Sequence, residues 1–386
     1  MTAHSLRIGF IPLIDAASTI IAADKGFAAA EGLEIDLVRE VSWSNVRDKL
    51  NLGLFDAAHV LAPVAIASSL GLGHIKVPIV APFTLNMNGN AITVSPGLYA
   101  EIVREIDGTA RDPLTTARAL ARVCAARRSR AMEPVTLGMT FPYSTHNYQL
   151  RFWMAAGGVD PDEDVRLVVL PPPYMVDSLA SGQVDGFCVG APWNAVAVDR
   201  GMGWILHFGP DILKRAAEKV LAVRQQWAEA NPDVLSRLIR AHRAAADFID
   251  DAGNHDEVAA ILARPDRVNA DAQIIKAVLA GRLVMAKGES PRQQHDYMLF
   301  GRDAADRPDP SQATWLYAQM VRWGQTTATP DGLRAAQATF RPDLYDAAIG
   351  TTTVARSSIG AFVGPAIEGD DIAAYLAAFP AFAKRA

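Results

Sequence analysis

Cysteine is scarce in this chain. Its 386 residues carry only two, Cys124 and Cys188. Neither stands at metal-type spacing from a second Cys or from a His, so no metal site is expected. Two isolated thiols suit a reducing compartment, with one disulfide as the alternative. Basic charge is also short: 37 Lys and Arg face 42 Asp and Glu, for a net charge of -5 and a pI near 5.9. There is no cationic excess to neutralise phosphates, which argues against nucleic acid as a direct partner. No apolar run approaches the ~20 residues that span a bilayer, so no membrane segment is expected. Enzyme signatures are missing too. There is no G-x-S-x-G elbow, no G-x-x-x-x-G-K-[ST] loop and no H-E-x-x-H pair. Gly71-Leu72-Gly73 lacks a third glycine and follows a helical pattern, so it reads as a loop. A non-enzyme without cofactor is the expectation. Only five residues precede the first strand pattern, with no export signal or lipid-attachment cysteine among them. The location expected on that basis is cytoplasmic.

What is present is apolar. Half of the residues are hydrophobic and 20% are charged, enough for a sizeable core. The length suggests two domains or one two-lobed unit. Residues 6–95 alternate strand patterns (6–10, 33–38, 57–60, 77–80, 91–94) with helical ones (18–25, 44–50, 63–70). Residues 96–203 repeat that logic, with strands at 135–139, 165–170 and 184–189. Helices are expected there at 112–127, 175–180 and 192–200, and after Ser144. The 204–208 stretch reads as a strand returning to the first lobe, and 219–223 as a further strand. Asn231-Pro232 then opens a long helix to about Asp250, with Asn as cap and Pro at the first helical position. Alternation of this kind gives an α/β fold with mostly parallel sheets. One lobe would comprise 1–95 plus 205–386 and the other 96–204, hinged by two crossings. Ligands in such sheets bind at the carboxyl ends of strands, here facing each other across a cleft that closes.

The stretch from Ser144 to Gly158 carries the sharpest signal. It reads as a helix capped by Ser144 or Thr145, directly after a strand and loop. Unpaired N–H groups at that start favour an anion, and His146 lies in the first turn. The plain alternative is an ordinary strand-to-helix turn. Lys219 begins an apolar strand and either points into the cleft or stays solvated. Trp43, in the turn before a helix, either walls a pocket or packs in the core. Asn88-Gly89-Asn90 is a turn or a donor-bearing loop, and His59, at a strand end, reads as a core or cleft-lining side chain. The 171–173 proline run is either a rigid apolar wall or a strand stop. Together these groups offer donors and apolar walls with few carboxylates, which suits a small anion.

Longer phrases point to a family. They include Gly9-Phe10-Ile11-Pro12-Leu13 with Asp15, Ser42-Trp43, Ala58-His59-Val60-Leu61-Ala62-Pro63 and Leu85-Asn86-Met87-Asn88-Gly89-Asn90. Ser144-Thr145-His146-Asn147-Tyr148, Pro171-Pro172, Val189-Gly190-Ala191-Pro192-Trp193-Asn194 and Glu218-Lys219 continue them. Over nearly its whole length the chain resembles the nitrate/bicarbonate-binding proteins of the NrtA/CmpA family. That resemblance implies a type 2 periplasmic-binding-protein fold: two lobes, a hinge and a central ligand cleft. It implies a nitrate or nitrite site made by Lys219, His146, Asn90, Trp43, Pro172 and Val189. Transport members carry an export signal, and many have Glu where this chain has Ala191. Without the signal, the likeness is to the cytoplasmic NasS branch, the nitrate/nitrite sensors. Such a sensor restrains a NasT-like, ANTAR-type RNA-binding antiterminator. The alternative is the substrate-binding component of an ABC importer for nitrate or a similar small anion.

Overall fold

Two β-sheets organise the chain in the computed structural model, which describes residues 3–350 and 359–379. The strands are β1 (His4–Phe10), β2 (Leu33–Arg39), β3 (Ala57–Leu61), β4 (Ile79–Asn88), β5 (Asn90–Val94), β6 (Val135–Met139) and β7 (Val165–Val169). They continue with β8 (Gly186–Gly190), β9 (Trp204–Phe208), β10 (Ala217–Arg224), β11 (Arg282–Leu283), β12 (Arg292–Gln293) and β13 (Met298–Leu299). The first sheet has the order β13-β4-β10-β3-β1-β2, and the second β7-β6-β8-β5-β9. β1 runs parallel to β2 and β3, and β6 parallel to β7 and β8. The strands entering from the other lobe, β10 in the first sheet and β5 in the second, pair antiparallel. Strands β3 to β6 and β8 are buried at every position. They are covered on both faces, which is why they read as continuous apolar runs.

The expected α/β architecture with two lobes is present. The lobe edges differ from the expected 95/96 and 204/205. Both β5 and β9 belong to the second sheet, where they pair with each other. The chain changes sheet at Gly89, between β4 and β5, with φ +94°. An L side chain is strained at that φ, so this corner favours glycine; a Cβ would also displace the flexible end of Met298, 2.6 Å away. Ser95, close to the expected edge, is instead a helix cap, its hydroxyl accepting from Leu98 N at 3.1 Å. The return crossing lies between β9 and β10.

β10 carries a second irregularity. Its register against β4 shifts on both sides of Lys219. Neighbouring residues in a regular strand point to opposite faces. An irregularity of this kind re-aims a side chain, and here the side chains of Glu218 and Lys219 meet. Among the described residues, no helix is long and apolar enough to cross a membrane. Both cysteines are free and buried.

Candidate ligand-binding site

Each lobe delivers polar side chains to the seam between the sheets. From the second sheet, β6 ends at Met139, and the Thr145–Ala156 helix begins six residues later. Ser144 caps that helix, accepting from Asn147 N at 3.1 Å. This leaves His146 and Gln149 in the first turns, both buried. β5 contributes Asn90 immediately after the crossing. From the first sheet come Lys219 and Glu218 on β10, His59 on β3, and Asp15 in the short turn after β1. Trp43 opens the Trp43–Asn51 helix, which Ser42 caps by accepting from Asn45 N at 3.3 Å.

These side chains form one connected cluster. The Lys219 ammonium lies 2.7 Å from Asp15 Oδ2 and 3.0 Å from Glu218 Oε1. Asp15 Oδ1 is 2.8 Å from His59 Nε2. The other oxygen of Glu218 accepts from Asn90 Nδ2 at 2.7 Å, and Asn90 Nδ2 also reaches Gln149 Oε1 at 3.1 Å. His146 Nδ1 sits 3.0 Å from Thr140 Oγ1 and 3.3 Å from Glu218 Oε1. The Trp43 ring packs edge-on against His59, with centroids 5.3 Å apart, and lies 5.5 Å from the Lys219 ammonium. Asp15, His59, Asn90, His146, Glu218 and Lys219 are all fully buried.

Burial and charge set the protonation states. Burial alone would raise the Asp15 carboxyl, but Lys219 and His59 outweigh it and hold it at about 2. Burial works against the Lys219 ammonium too, yet the two carboxylates win and keep it charged. Glu218 goes the other way: burial raises its carboxyl more than Lys219 lowers it. His146 is pushed well below its ordinary value by burial and then by Lys219. His59 is also lowered by burial, partly countered by Asp15.

Several polar atoms here have no hydrogen-bond partner among the described residues: Trp43 Nε1, His146 Nε2, Gln149 Nε2 and Asn90 Oδ1. An unmatched buried polar group costs about 1–3 kcal/mol, so several in one cluster mark a place suited to a polar ligand. The seam above it is shut. Trp193 Nε1 donates to Pro12 O at 3.2 Å, Ile14 N to Ala191 O at 2.9 Å, and Thr145 Oγ1 to Ala217 O at 3.3 Å.

Of the residues expected from sequence, the structure brings together Lys219, His146, Asn90 and Trp43. Lys219 is buried, not solvated at a strand edge. Pro172 is buried just past the end of β7, one strand beyond β6. Val189 is buried in β8, beside Ala91 of β5, and its carbonyl accepts from Asn194 Nδ2 at 2.7 Å. The expectation of few carboxylates does not hold, because Asp15 and Glu218 flank the lysine on both sides. Gln149 and Thr140 also join the cluster, through Asn90 and His146, without a local signal in the sequence. The available signal for Glu218 was a carboxylate next to Lys219 in an otherwise apolar strand. Among the described residues, no group of three or more His, Cys, Asp or Glu side chains is placed to hold a metal ion.

Residues 2–263 match the model of the NMT1-like family. The chain is 33% identical over 348 residues to the nitrate/nitrite binding protein NrtA of Synechococcus elongatus, covering 88% of this chain and 76% of that protein. It is 30% identical over 385 residues to the bicarbonate transport ATP-binding protein CmpC of the same species, covering 97% of this chain and 55% of that protein. The chain spans about half the length of the ATP-binding relatives it matches. Its fold superposes on the crystal structure of the periplasmic nitrate-binding protein NrtA from Synechocystis PCC 6803 with a TM-score of 0.88. The identity there is 28%, over 98% of this chain and 99% of that one.

Proposed function

The chain belongs to the NMT1-like family, and from that premise we propose that it binds nitrate or nitrite between its lobes as the ligand-binding component of an ABC-type importer. The observation that carries this reading is the fully buried Lys219, set among His146, Asn90, Gln149 and Trp43, with Gln149 Nε2 and Trp43 Nε1 left as unmatched donors. A small planar oxyanion uses such donors without needing general base chemistry. Lys219 supplies the charge, and charge-assisted hydrogen bonds are the stronger kind. His146 and the amide side chains supply direction, while Trp43 walls the site and keeps water out. In this reading Pro172 and Val189 contribute apolar and backbone surface at the ends of β7 and β8. The role is binding without turnover.

The relatives favour import over the sensor role expected from the sequence, since the names they carry concern binding and transport. A cytoplasmic sensor restraining a NasT-like antiterminator is the second reading. It uses the same pocket chemistry and differs in partner and location. Calorimetric titration of the purified chain with nitrate, nitrite, bicarbonate and sulfate tests the ligand. Nitrate or nitrite is expected to bind in the micromolar range. Lys219→Ala should weaken that about ten- to a hundredfold, since a hydrogen bond to a charged group contributes about 1.5–3 kcal/mol. Binding of bicarbonate alone, or unchanged nitrate affinity in Lys219→Ala, would overturn the reading. Co-purification then separates the roles: an ABC permease supports import, and an RNA-binding antiterminator supports the sensor.

A further inference from the structure

The charges of the cluster do not suit an anion as they stand. One ammonium, Lys219, lies between two carboxylates, Asp15 at 2.7 Å and Glu218 at 3.0 Å. With both histidines neutral, the buried group carries one net negative charge. An incoming monoanion would add a second, where water is excluded and like charges repel strongly.

The hydrogen-bond chemistry points the same way. His146 Nδ1 faces the Glu218 carboxylate at 3.3 Å and the Thr140 hydroxyl at 3.0 Å. The hydrogen bond at Nδ1 is to Thr140. An ionised carboxylate this close can only accept and would repel a bare Nδ1 lone pair, so it favours the tautomer with the proton on Nδ1, donated to Thr140 Oγ1. A neutral imidazole with its proton on Nδ1 has a bare lone pair on Nε2. That Nε2 is the buried, unmatched atom of this side chain, and a lone pair there repels an anion.

One added proton removes both obstacles. Placed on His146, it makes imidazolium with N–H on both nitrogens. Placed on Glu218, it removes the negative charge beside Nδ1, so that the Thr140 hydroxyl donates to Nδ1 and the imidazole proton moves to Nε2. Either way Nε2 becomes a donor and the cluster becomes neutral before the anion enters. We propose that the cleft takes up nitrate together with one proton, held by the Glu218–His146 pair, so that Glu218 acts as a positioning residue that turns His146 Nε2 into a donor. The inference rests on the anion-binding reading above and adds its proton.

The other groups facing the pair are consistent with this assignment. Lys219 and Asp15 approach it from β10 and from the turn after β1. Asn90 on β5 binds the Glu218 oxygen opposite Lys219. His59 on β3 is engaged by Asp15. Cys188 on β8 faces Glu218 with its thiol kept protonated by burial and by that carboxylate, and Tyr297 lies behind Cys188 with its hydroxyl also kept protonated by burial. Asp15, with Lys219 and His59 both against it, is the poorer proton acceptor of the two carboxylates. Burial already biases Glu218 towards its protonated form.

The test is calorimetric titration of the full chain with sodium nitrate from pH 6 to 8.5, in two buffers of different ionisation enthalpy. Uptake approaching one proton per nitrate is expected at the alkaline end, with affinity falling towards tenfold per pH unit. Glu218→Gln is expected to bind nitrate with no proton uptake and an affinity flat in pH. Nitrate binding in the unaltered chain with buffer-independent heat and pH-independent affinity would overturn the coupling while leaving the anion site intact. Unchanged proton uptake in Glu218→Gln would overturn the role of the pair. No nitrate binding at any of these pH values would overturn the anion-binding reading and the coupling with it. If Glu218→Gln does not fold, the proton count of the unaltered chain decides alone.

Discussion

His242 is a buried histidine far from any ligand role. Its Nδ1 bonds Leu238 O at 2.9 Å and its Nε2 bonds Thr19 Oγ1 at 3.1 Å. Since a carbonyl can only accept, Nδ1 donates, and in the neutral ring Nε2 accepts from the threonine hydroxyl. Burial, partly offset by the Leu238 carbonyl, lowers its pKa from 6.5 to about 4. His207, paired with Thr116 at 2.6 Å, is lowered by burial to about 3. Below pH 6.5 the unfolded chain binds protons that the folded chain refuses, so stability falls as pH drops from 6.5 towards those values. Each histidine contributes a slope approaching ~1.4 kcal/mol per pH unit in that window. Urea unfolding between pH 6.5 and 4.5 should show this decline, and His242→Gln should make it shallower. A flat wild-type profile would sink the argument. Individual residues differed in how far the sequence exposed them. Lys219 and His146 stood out because a cation in an apolar strand and a histidine in a helix's first turn are locally odd. Asp15 belongs to a phrase that carries the family resemblance, but its approach to Lys219 is a tertiary fact that no local pattern encodes. Glu218 was harder still, since strict strand alternation would turn it away from Lys219.

Elements are where the sequence was most legible, because caps and periodicity are local. The strand at Val135–Met139, the helix at Met175–Ala180 and the helix at Pro232–Asp250 fall where their patterns place them. Asn231 marks the start of the last of these without capping it by its side chain. Its Nδ2 donates backwards to Trp227 O at 2.9 Å, closing the short helix before it. What the patterns could not give was the sheet to which a strand belongs. β5 and β9 look alike in either lobe; the turn at Gly89 takes β5 into the second sheet, and β9 joins it by pairing with β5. Ser144 shows how an element governs the site. Its hydroxyl accepts from Asn147 N and donates to Phe141 O at 2.6 Å, pinning the loop that carries the helix start. Ser144→Ala removes both bonds. It should lower the unfolding free energy by about 1–2 kcal/mol, the usual cost of a lost cap, with Ser144→Thr recovering most of it. Denaturant titration of the three proteins checks this, and a Ser144→Ala loss under a few tenths of a kcal/mol would contradict the capping role.

For the whole molecule, the anion-binding proposal requires opening a site that the folded chain seals. Lys219, His146 and Asn90 are fully buried, so an anion can neither enter nor leave while the lobes are shut. The seal is polar and thin. The Trp193 indole donates across the seam to Pro12 O, Ile14 N meets Ala191 O, and the Arg47 guanidinium lies 5.5 Å from the Phe141 ring. Each such hydrogen bond contributes a net ~0.5–1.5 kcal/mol, small enough to break and re-form during binding. Trp193→Phe keeps an aromatic ring at the seam and deletes the donor. If this bond is part of the latch, opening becomes easier by that amount, and nitrate release should accelerate roughly two- to tenfold. Trp43 stays in place beside Lys219 and serves as a fluorescent reporter for stopped-flow measurement of release. The equilibrium constant responds differently. Where the unliganded chain rests closed, the lost bond destabilises free and bound forms alike, and only the two rates rise. Where it rests open, affinity weakens by the same factor as release accelerates. An unchanged release rate in Trp193→Phe would remove Trp193 from the latch in both cases and leave lobe closure to the other seam contacts.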